Sequence, residues 1–481
     1  MLPTLTIDIG TTSVKLRLFG VDGDTLAATL FATPTRSDAF GEIYDVESLK
    51  RLIGDFVRAL DPRHRELTER IAIAGVGESG GLVRSDGSLA SPMILWHDHR
   101  GADRLAALDT VDRALVYRVT GLPVNANYGL SKVAWAVDNA GGDAAGAQWL
   151  NIAEYLAAWM SGVRWSEYSL ASRTMALDLA TRTWSREVCA LVGLDPSVFP
   201  ELRHAVDGEP LRRAFARELG LGPEVRVHVA GHDHMVGAIA ADLRRGELLN
   251  STGTTEGLLV VAGAPSTGEN TAQARLANGV SCTGADFTLF ASIPTGGSAF
   301  ATLQELLGID SAALTACVEG LAERYVAGGI DLGRIPLVLP QFRGSPPPEK
   351  RASARGAIAG LSTDTTADEV VFGCFLGLAL QFLDVLELFP DRAERIKVIG
   401  PASRNPLWLH LKADLLGTPL SVSRVPEVVS LGAQALASGE QAGWDLCDPH
   451  EVAVDRGRHE RLVEWRDRER ARWEHLKGMP A

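Results

Sequence analysis

The chain has 481 residues, 46% hydrophobic and 22% charged, the composition of a soluble globular protein too long for one ordinary core. Two domains of similar size are the expectation. Sixty acidic residues against 47 basic ones give a net charge of −13, which argues against an extended nucleic-acid surface; five singly scattered cysteines, Cys189, Cys282, Cys317, Cys374 and Cys447, exclude a disulfide scaffold and read as reduced thiols in a cytoplasmic protein.

From Met1 the chain enters a strand pattern at once, with neither the basic nor the apolar stretch of a signal peptide. Strands are expected over residues 5–9, 14–19 and 25–31, forming an antiparallel meander. Asp45 then stands ahead of Val46, Leu49, Leu52, Ile53, Phe56, Val57 and Leu60, whose spacings of three, four and seven predict an amphipathic helix with an acidic N-cap. A buried strand over 71–76 follows, so the fold is α/β rather than all-β. Residues 100–220 read as mostly helical, with Lys132 and Trp135 packing a helix, and residues 226–230 as a further strand ending at Gly231-His232-Asp233-His234.

A glycine-threonine turn occurs twice, as Asp8-Ile9-Gly10-Thr11-Thr12 and as Ser251-Thr252-Gly253-Thr254-Thr255, about half the chain apart. Each lies between apolar runs and reads as a hairpin tip whose N–H groups and hydroxyls can cradle phosphate oxygens. Two copies suggest similar halves facing one cleft. Beyond the second turn come a strand over 288–292, a proline-rich loop over 340–348, an apolar stretch over 372–389 that suits a buried helix, and a strand over 395–399. Asn405 and Pro406 then form an N-cap and N1 pair for a helix stopping at Gly417. Residues 455–477, dense in Arg, Glu and Asp, read as a solvated terminal helix.

Asp8 to Lys15, Trp96-His97-Asp98-His99-Arg100, Lys132 to Trp135, Gly231-His232-Asp233, Ser251 to Thr255, Thr295-Gly296-Gly297-Ser298 and Gly400 to Trp408 stand in an order that resembles the FGGY carbohydrate kinases. The resemblance covers nearly the whole chain. It implies an α/β fold of two ribonuclease-H-like (actin-like ATPase) domains facing a central cleft, residues 1–240 carrying sugar and base and residues 241–481 the nucleotide. It implies transfer of the γ-phosphoryl of ATP, with Mg²⁺, to a hydroxyl of a small ketose or polyol. Asp8 and Asp233 would serve the metal, and Asp233 would be the catalytic base. Gly10, Thr11, Thr12, Lys15, Gly253, Thr254, Gly297, Gly400, Ala402 and Asn405 would hold the nucleotide and its phosphates; Glu78, Trp96, Asp98 and Arg100 would contact the sugar.

The chain departs from the family pattern where Gly400-Pro401-Ala402 replaces consecutive glycines, where Gly356 to Leu361 meets a later signature in part, and where Glu78-Ser79-Gly80-Gly81 replaces the Gln-Met-His-Gly of xylulokinases. A carboxylate at 78 accepts hydrogen bonds from hydroxyls but donates none. Two His-Asp-His triplets, at 97–99 and 232–234, would on a strand put both histidines on one face opposite the aspartate, but no further Cys or His cluster supports zinc. An Asp98–Arg100 salt bridge competes with a sugar-binding role for that pair. The expected partner is a small sugar or polyol, with no nucleic acid and no membrane, and a homodimer is left open. Two other readings of the fold are a non-catalytic nucleotide- or sugar-binding regulator and an actin-like or chaperone-like ATPase.

Overall fold

A computed structural model of the chain describes residues 1–140 and 145–479. The opening meander is β1 (Thr4–Ile9), β2 (Ser13–Phe19) and β3 (Thr25–Ala32), each antiparallel to the next. Helix α1 (Val46–Ala59) begins where expected, with the Asp45 carboxylate accepting from Ser48 N. Its stripe of Val46, Leu49, Ile53 and Val57 is buried. Strand β4 (Arg70–Gly75) runs parallel to β1, and β6 (Arg226–His232) parallel to β4, with the short β5 (Glu209–Pro210) at the edge. The sheet order is β5-β6-β4-β1-β2-β3. Directly after β6 comes helix α2 (Asp233–Ala240).

The second half repeats this order. Strands β7 (Glu247–Thr252) and β8 (Glu256–Ala262) form its hairpin; β9 (Ala277–Val280), β10 (Phe287–Ile293), β11 (Arg395–Ile399), β12 (Leu420–Ser423) and β13 (Pro449–Val452) complete a sheet ordered β9-β10-β8-β7-β11-β12-β13. In both sheets the first strand lies between an antiparallel neighbour and a parallel one. Helices α3 (Ser298–Leu307), α4 (Ala367–Leu386), α5 (Pro406–Leu416), α6 (Val428–Ser438) and α7 (Arg456–Lys477) complete the scaffold.

Strand periodicity decides what faces what. On β1, Leu5, Ile7 and Ile9 join the outer core of the first half, so Asp8 must point to the other face. On β4, Ile71 and Ile73 likewise face that outer core, while Ala72 and Ala74 face a central core built with α2, α6, Leu249 and Ile399. These alanines let the helices approach. At the crossing of α2 and α6, a Cβ on Gly432 would lie 2.1 Å from the Val236 carbonyl oxygen, so only glycine fits. Lys397 of β11 caps the far end of α2, donating to Ala241 O (2.9 Å) and Asp242 O (2.8 Å).

Helix α4 is the one described helix long and apolar enough to cross a membrane, yet it is packed inside the second half, with Phe372, Phe375, Leu376 and Phe382 buried. The terminal helix corrects an expectation. Most of its charges are solvated, but Arg458 pairs with the buried Asp414 of α5 at 2.7 Å, Leu462, Trp465, Trp473 and Leu476 are buried, and the Trp473 indole donates to Asp384 of α4 at 2.7 Å. A sparse apolar stripe within a charged helix is enough to clamp it against α5 and the end of α4.

Candidate functional site

Both glycine-threonine turns are hairpin tips at the same end of equivalent strands. In the first, Gly10 N donates to Ser13 O (3.0 Å), the Thr33 hydroxyl to Gly10 O (2.8 Å), and Thr33 N to Thr12 O (3.1 Å). The indole N–H of Trp96 donates to the Thr11 hydroxyl at 3.0 Å, tying the expected sugar wall to the phosphate turn. In the second, Gly253 N donates to Thr255 O (2.9 Å), while Gly253 O accepts from Gly297 N (2.9 Å) and Thr254 O from Gly296 N (3.1 Å) and Ser298 N (3.2 Å). The tip thus rests on the start of α3.

The contact is tight. A Cβ on Gly297 would sit 2.7 Å from Gly253 O, and Ala402 Cβ approaches that same point at 3.6 Å. Gly400 has φ of +100°, and a Cβ there would lie 2.4 Å from Thr252 O. So Gly253, Thr254, Gly297, Gly400 and Ala402 are brought together. The Ser298 hydroxyl beside them is buried with no hydrogen-bond partner, an open valence suited to a phosphate or ribose oxygen. Asn405 is placed differently: its side-chain oxygen accepts from Trp408 N at 3.0 Å, so it caps α5.

Asp8 stands opposite Lys15 in the β1–β2 register, with the ammonium 3.5 Å from Oδ2. Lys15 also reaches Glu427 at 3.0 Å, the residue before α6, and so bridges the two halves. Burial pushes the Asp8 carboxyl up to about 6; Lys15 pulls it down, and Asp233 and Glu427 push it up again. Two carboxylates within each other's field, with hard oxygens and no soft ligand, suit Mg²⁺, which keeps most of its water and takes only one or two protein carboxylates. Among the described residues no group of three or more His, Cys, Asp or Glu could hold a metal by itself.

Asp233 is the first residue of α2, where β6 ends. Gly231, at φ +123°, sits at a bulge in β6; a Cβ there would strike Ser169 Oγ (2.5 Å), Glu167 Oε2 (2.8 Å) and Cys282 Sγ (2.8 Å). His232 N donates to Ser169 Oγ at 2.9 Å, pinning the strand end. Asp233 Oδ1 accepts from His234 N at 2.6 Å, with His232 Nε2 3.4 Å away, and the side chain remains 23% exposed. Burial drives the His232 imidazole down to about 3 despite the neighbouring Asp233, so it stays neutral. The triplet therefore straddles a strand end and a helix start, and 97–99 lies in a loop; neither is the strand assumed for shared faces.

On the sugar side, Glu78 Oε1 accepts from Arg173 Nε (2.9 Å) and Nη2 (2.8 Å). Gly77 makes room: a Cβ there would lie 2.6 Å from both Arg173 Cγ and His232 Cδ2. Arg173 is therefore next to the Asp233 end of β6. Sequence reading missed it, although a lone cation in the apolar run from Tyr168 to Ala180 was a usable signal. Asp98 and Arg100 resolve as the competing salt bridge: Arg100 Nε and Nη2 meet Asp98 at 3.0 and 2.6 Å, Asp38 adds contacts at 3.0 and 3.2 Å, and Trp135 stacks 4.7 Å from the guanidinium. Both are buried and their polar atoms are taken up by this network, which braces the loop behind Trp96. Lys132, also buried, donates to the carbonyls of Ala126 (2.8 Å), Asn127 (2.7 Å) and Tyr128 (3.3 Å).

Two equivalent glycine-threonine turns with a carboxylate pair, Asp8 and Asp233, between them are the arrangement of an ATP-dependent phosphotransferase acting on an alcohol. The comparisons identify the family. Residues 4–240 match the FGGY family of carbohydrate kinases, N-terminal domain, and residues 248–439 its C-terminal domain, and the chain belongs to that family. It is 31% identical to a glycerol kinase of Mycobacterium tuberculosis over 73% of this chain and 69% of that one. In fold it is similar to a xylulose kinase from Rhodospirillum rubrum (TM-score 0.84, 20% identity, 99% of each chain) and to Plasmodium falciparum glycerol kinase with ADP (0.83, 19%, 98% of each). The protein is a carbohydrate kinase that phosphorylates a sugar or polyol hydroxyl at the expense of ATP.

Proposed function

We propose that Asp233 is the general base and that a small ketose or polyol sits between Glu78, Trp96 and Asp233, its reacting hydroxyl toward Asp8 and the Gly10 turn. The observation that carries this is the position of Asp233. It closes a strand whose neighbours are pinned, is partly open to solvent, and stands within the field of Asp8. A sugar hydroxyl is a weak nucleophile at neutral pH, so an adjacent carboxylate that accepts its proton as the new P–O bond forms contributes about 10²- to 10⁴-fold.

ATP would lie between the Gly10–Thr12 turn and the surface of Gly253, Thr254, Gly297, Gly400 and Ala402, where the glycines let the second turn, the start of α3 and the end of β11 pack backbone against backbone. Mg²⁺ beside Asp8 and Asp233 would supply neutralisation of phosphate charge. The amides and hydroxyls of Gly10, Thr11, Thr12 and Thr254, with Lys15, would orient the phosphates and stabilise charge on the transferred group. Trp96 offers an apolar wall, and Glu78, held by Arg173, accepts from substrate hydroxyls. A cytoplasmic setting fits the five free thiols. The test is Asp233→Ala: nucleotide affinity measured by calorimetry should persist while ADP release with substrate falls at least about 100-fold. Unchanged turnover would remove Asp233 from the chemistry.

A further inference from the structure

One buried side chain grips the backbone on both sides of Glu78. Asn151 Nδ2 donates to the carbonyls of Val76 (2.8 Å), Gly77 (3.2 Å) and Ser79 (2.9 Å), so a single amide straddles Glu78. The same loop is fastened at its ends: Val76 N donates to Ile9 O (3.2 Å), next to Gly10, and Gly80 N to Ile94 O (3.0 Å), two residues before Trp96. The main chain at Glu78 is therefore fixed from three directions. Asn151 also caps the helix Ile152–Ser161, its Oδ1 accepting from Ala153 N at 3.0 Å while its own N donates to Glu154 Oε2 at 2.7 Å.

From Glu154 the hydrogen bonds run on without a gap to the strand that ends at Asp233. Glu154 Oε1 accepts from Ser166 Oγ (2.6 Å) and Glu167 N (3.0 Å); Glu167 Oε2 accepts from Ser169 N (3.0 Å) and from the Ser169 hydroxyl, which in turn accepts from His232 N at 2.9 Å. Asn151, Glu154, Ser166, Glu167, Ser169 and His232 are each at most 4% exposed, so water does not compete for these bonds. Resting on the kinase reading above, we infer that Asn151 is a positioning residue for phosphoryl transfer. Its amide holds Glu78 toward the sugar, and its ladder through Glu154, Glu167 and Ser169 fixes Asp233 relative to Glu78. A misplacement of about 1 Å between substrate and base costs on the order of 100-fold in rate, and a dry, fully bonded link between the two carboxylates meets that tolerance.

The experiment separates the helix cap from the grip on the loop. Asn151→Ser keeps an N-cap oxygen of comparable worth but is too short to reach the three carbonyls, and Asn151→Asp keeps cap and shape but turns the donor into an acceptor. Hydrogen exchange read by mass spectrometry without ligands should be about 5- to 10-fold faster in both variants over residues 76–81 and 229–234, the worth of one lost hydrogen bond. Over residues 253–256 exchange should match wild type, as should the melting temperature of Asn151→Ser. In ADP release with glycerol, erythritol, xylitol or D-xylulose, the KM of any acceptor that turns over should rise about 10-fold and kcat should fall, while the KM for ATP stays as in wild type. Faster exchange at 76–81 alone, faster exchange everywhere with a lower melting temperature, or wild-type exchange throughout would each overturn the inference. So would wild-type KM and kcat in the loosened variants. If none of the four compounds turns over, the exchange pattern decides. Unchanged turnover in Asp233→Ala would instead overturn the role of that base, and it leaves the exchange result free to support or remove the ladder.

Discussion

Glu167 shows how a single buried carboxyl is tied to the Asp233 end of β6. Its Oε2 accepts from Ser169 N at 3.0 Å and Leu170 N at 3.1 Å, and the same Ser169 hydroxyl receives His232 N, one residue before Asp233. Burial raises Glu167 to about 8 and the neighbouring Glu154 to about 7, outweighing the hydrogen bonds that pull each down. Between the ordinary range near 4.5 and these values the folded chain holds more protons than the unfolded one, so stability falls as pH rises. Because the buried His232 and His228, held neutral in the fold, act in the opposite direction in either chain, the effect is read as a difference: Glu167→Gln should melt progressively higher relative to wild type as the pH rises from 5 to 8. A difference between the two chains that does not change with pH would contradict it. At this scale Asp8 and Asp233 could be nominated from the sequence because each stands close to a glycine. Arg173 could not, since its pairing depends on Glu78, 95 residues before it.

Elements were legible where their ends carry their own chemistry. Asn405, Pro406 and Gly417 bound α5 as read, because capping and left-handed geometry are local. Helix α7 was misjudged because its fate depends on what α5 and α4 offer its four apolar residues. The hairpin tip at Gly253 is an element whose position depends on two others. Gly297→Ala would drive a methyl to 2.7 Å from Gly253 O and displace the tip from α3. ATP affinity by calorimetry should weaken by about 10-fold or more, at a strain cost of about 1–3 kcal/mol seen in the melting temperature. Sugar binding without nucleotide should stay as in wild type.

Across the molecule, the two sheets meet through α2 and α6 rather than through their edges. The crossing at Gly432 and the Lys15–Glu427 bridge both connect the halves, and the bridge touches Asp8 directly. Gly432→Val should part α2 from α6, lowering stability by about 3 kcal/mol or more in chemical denaturation and reducing kcat, because Asp233 opens α2 and moves with it. A variant with native stability and kcat would show the crossing to be looser than the structure has it.

The amino-acid order by itself determined the α/β class, the two glycine-threonine turns and the strand and helix ends, since all of these follow from periodicity and contacts within a few residues. Only the tertiary structure decided that Asp98 and Arg100 brace a loop and that Arg173 stands beside Glu78. A charged side chain has several possible partners along the chain, and the one it meets is selected by packing elements far apart in sequence.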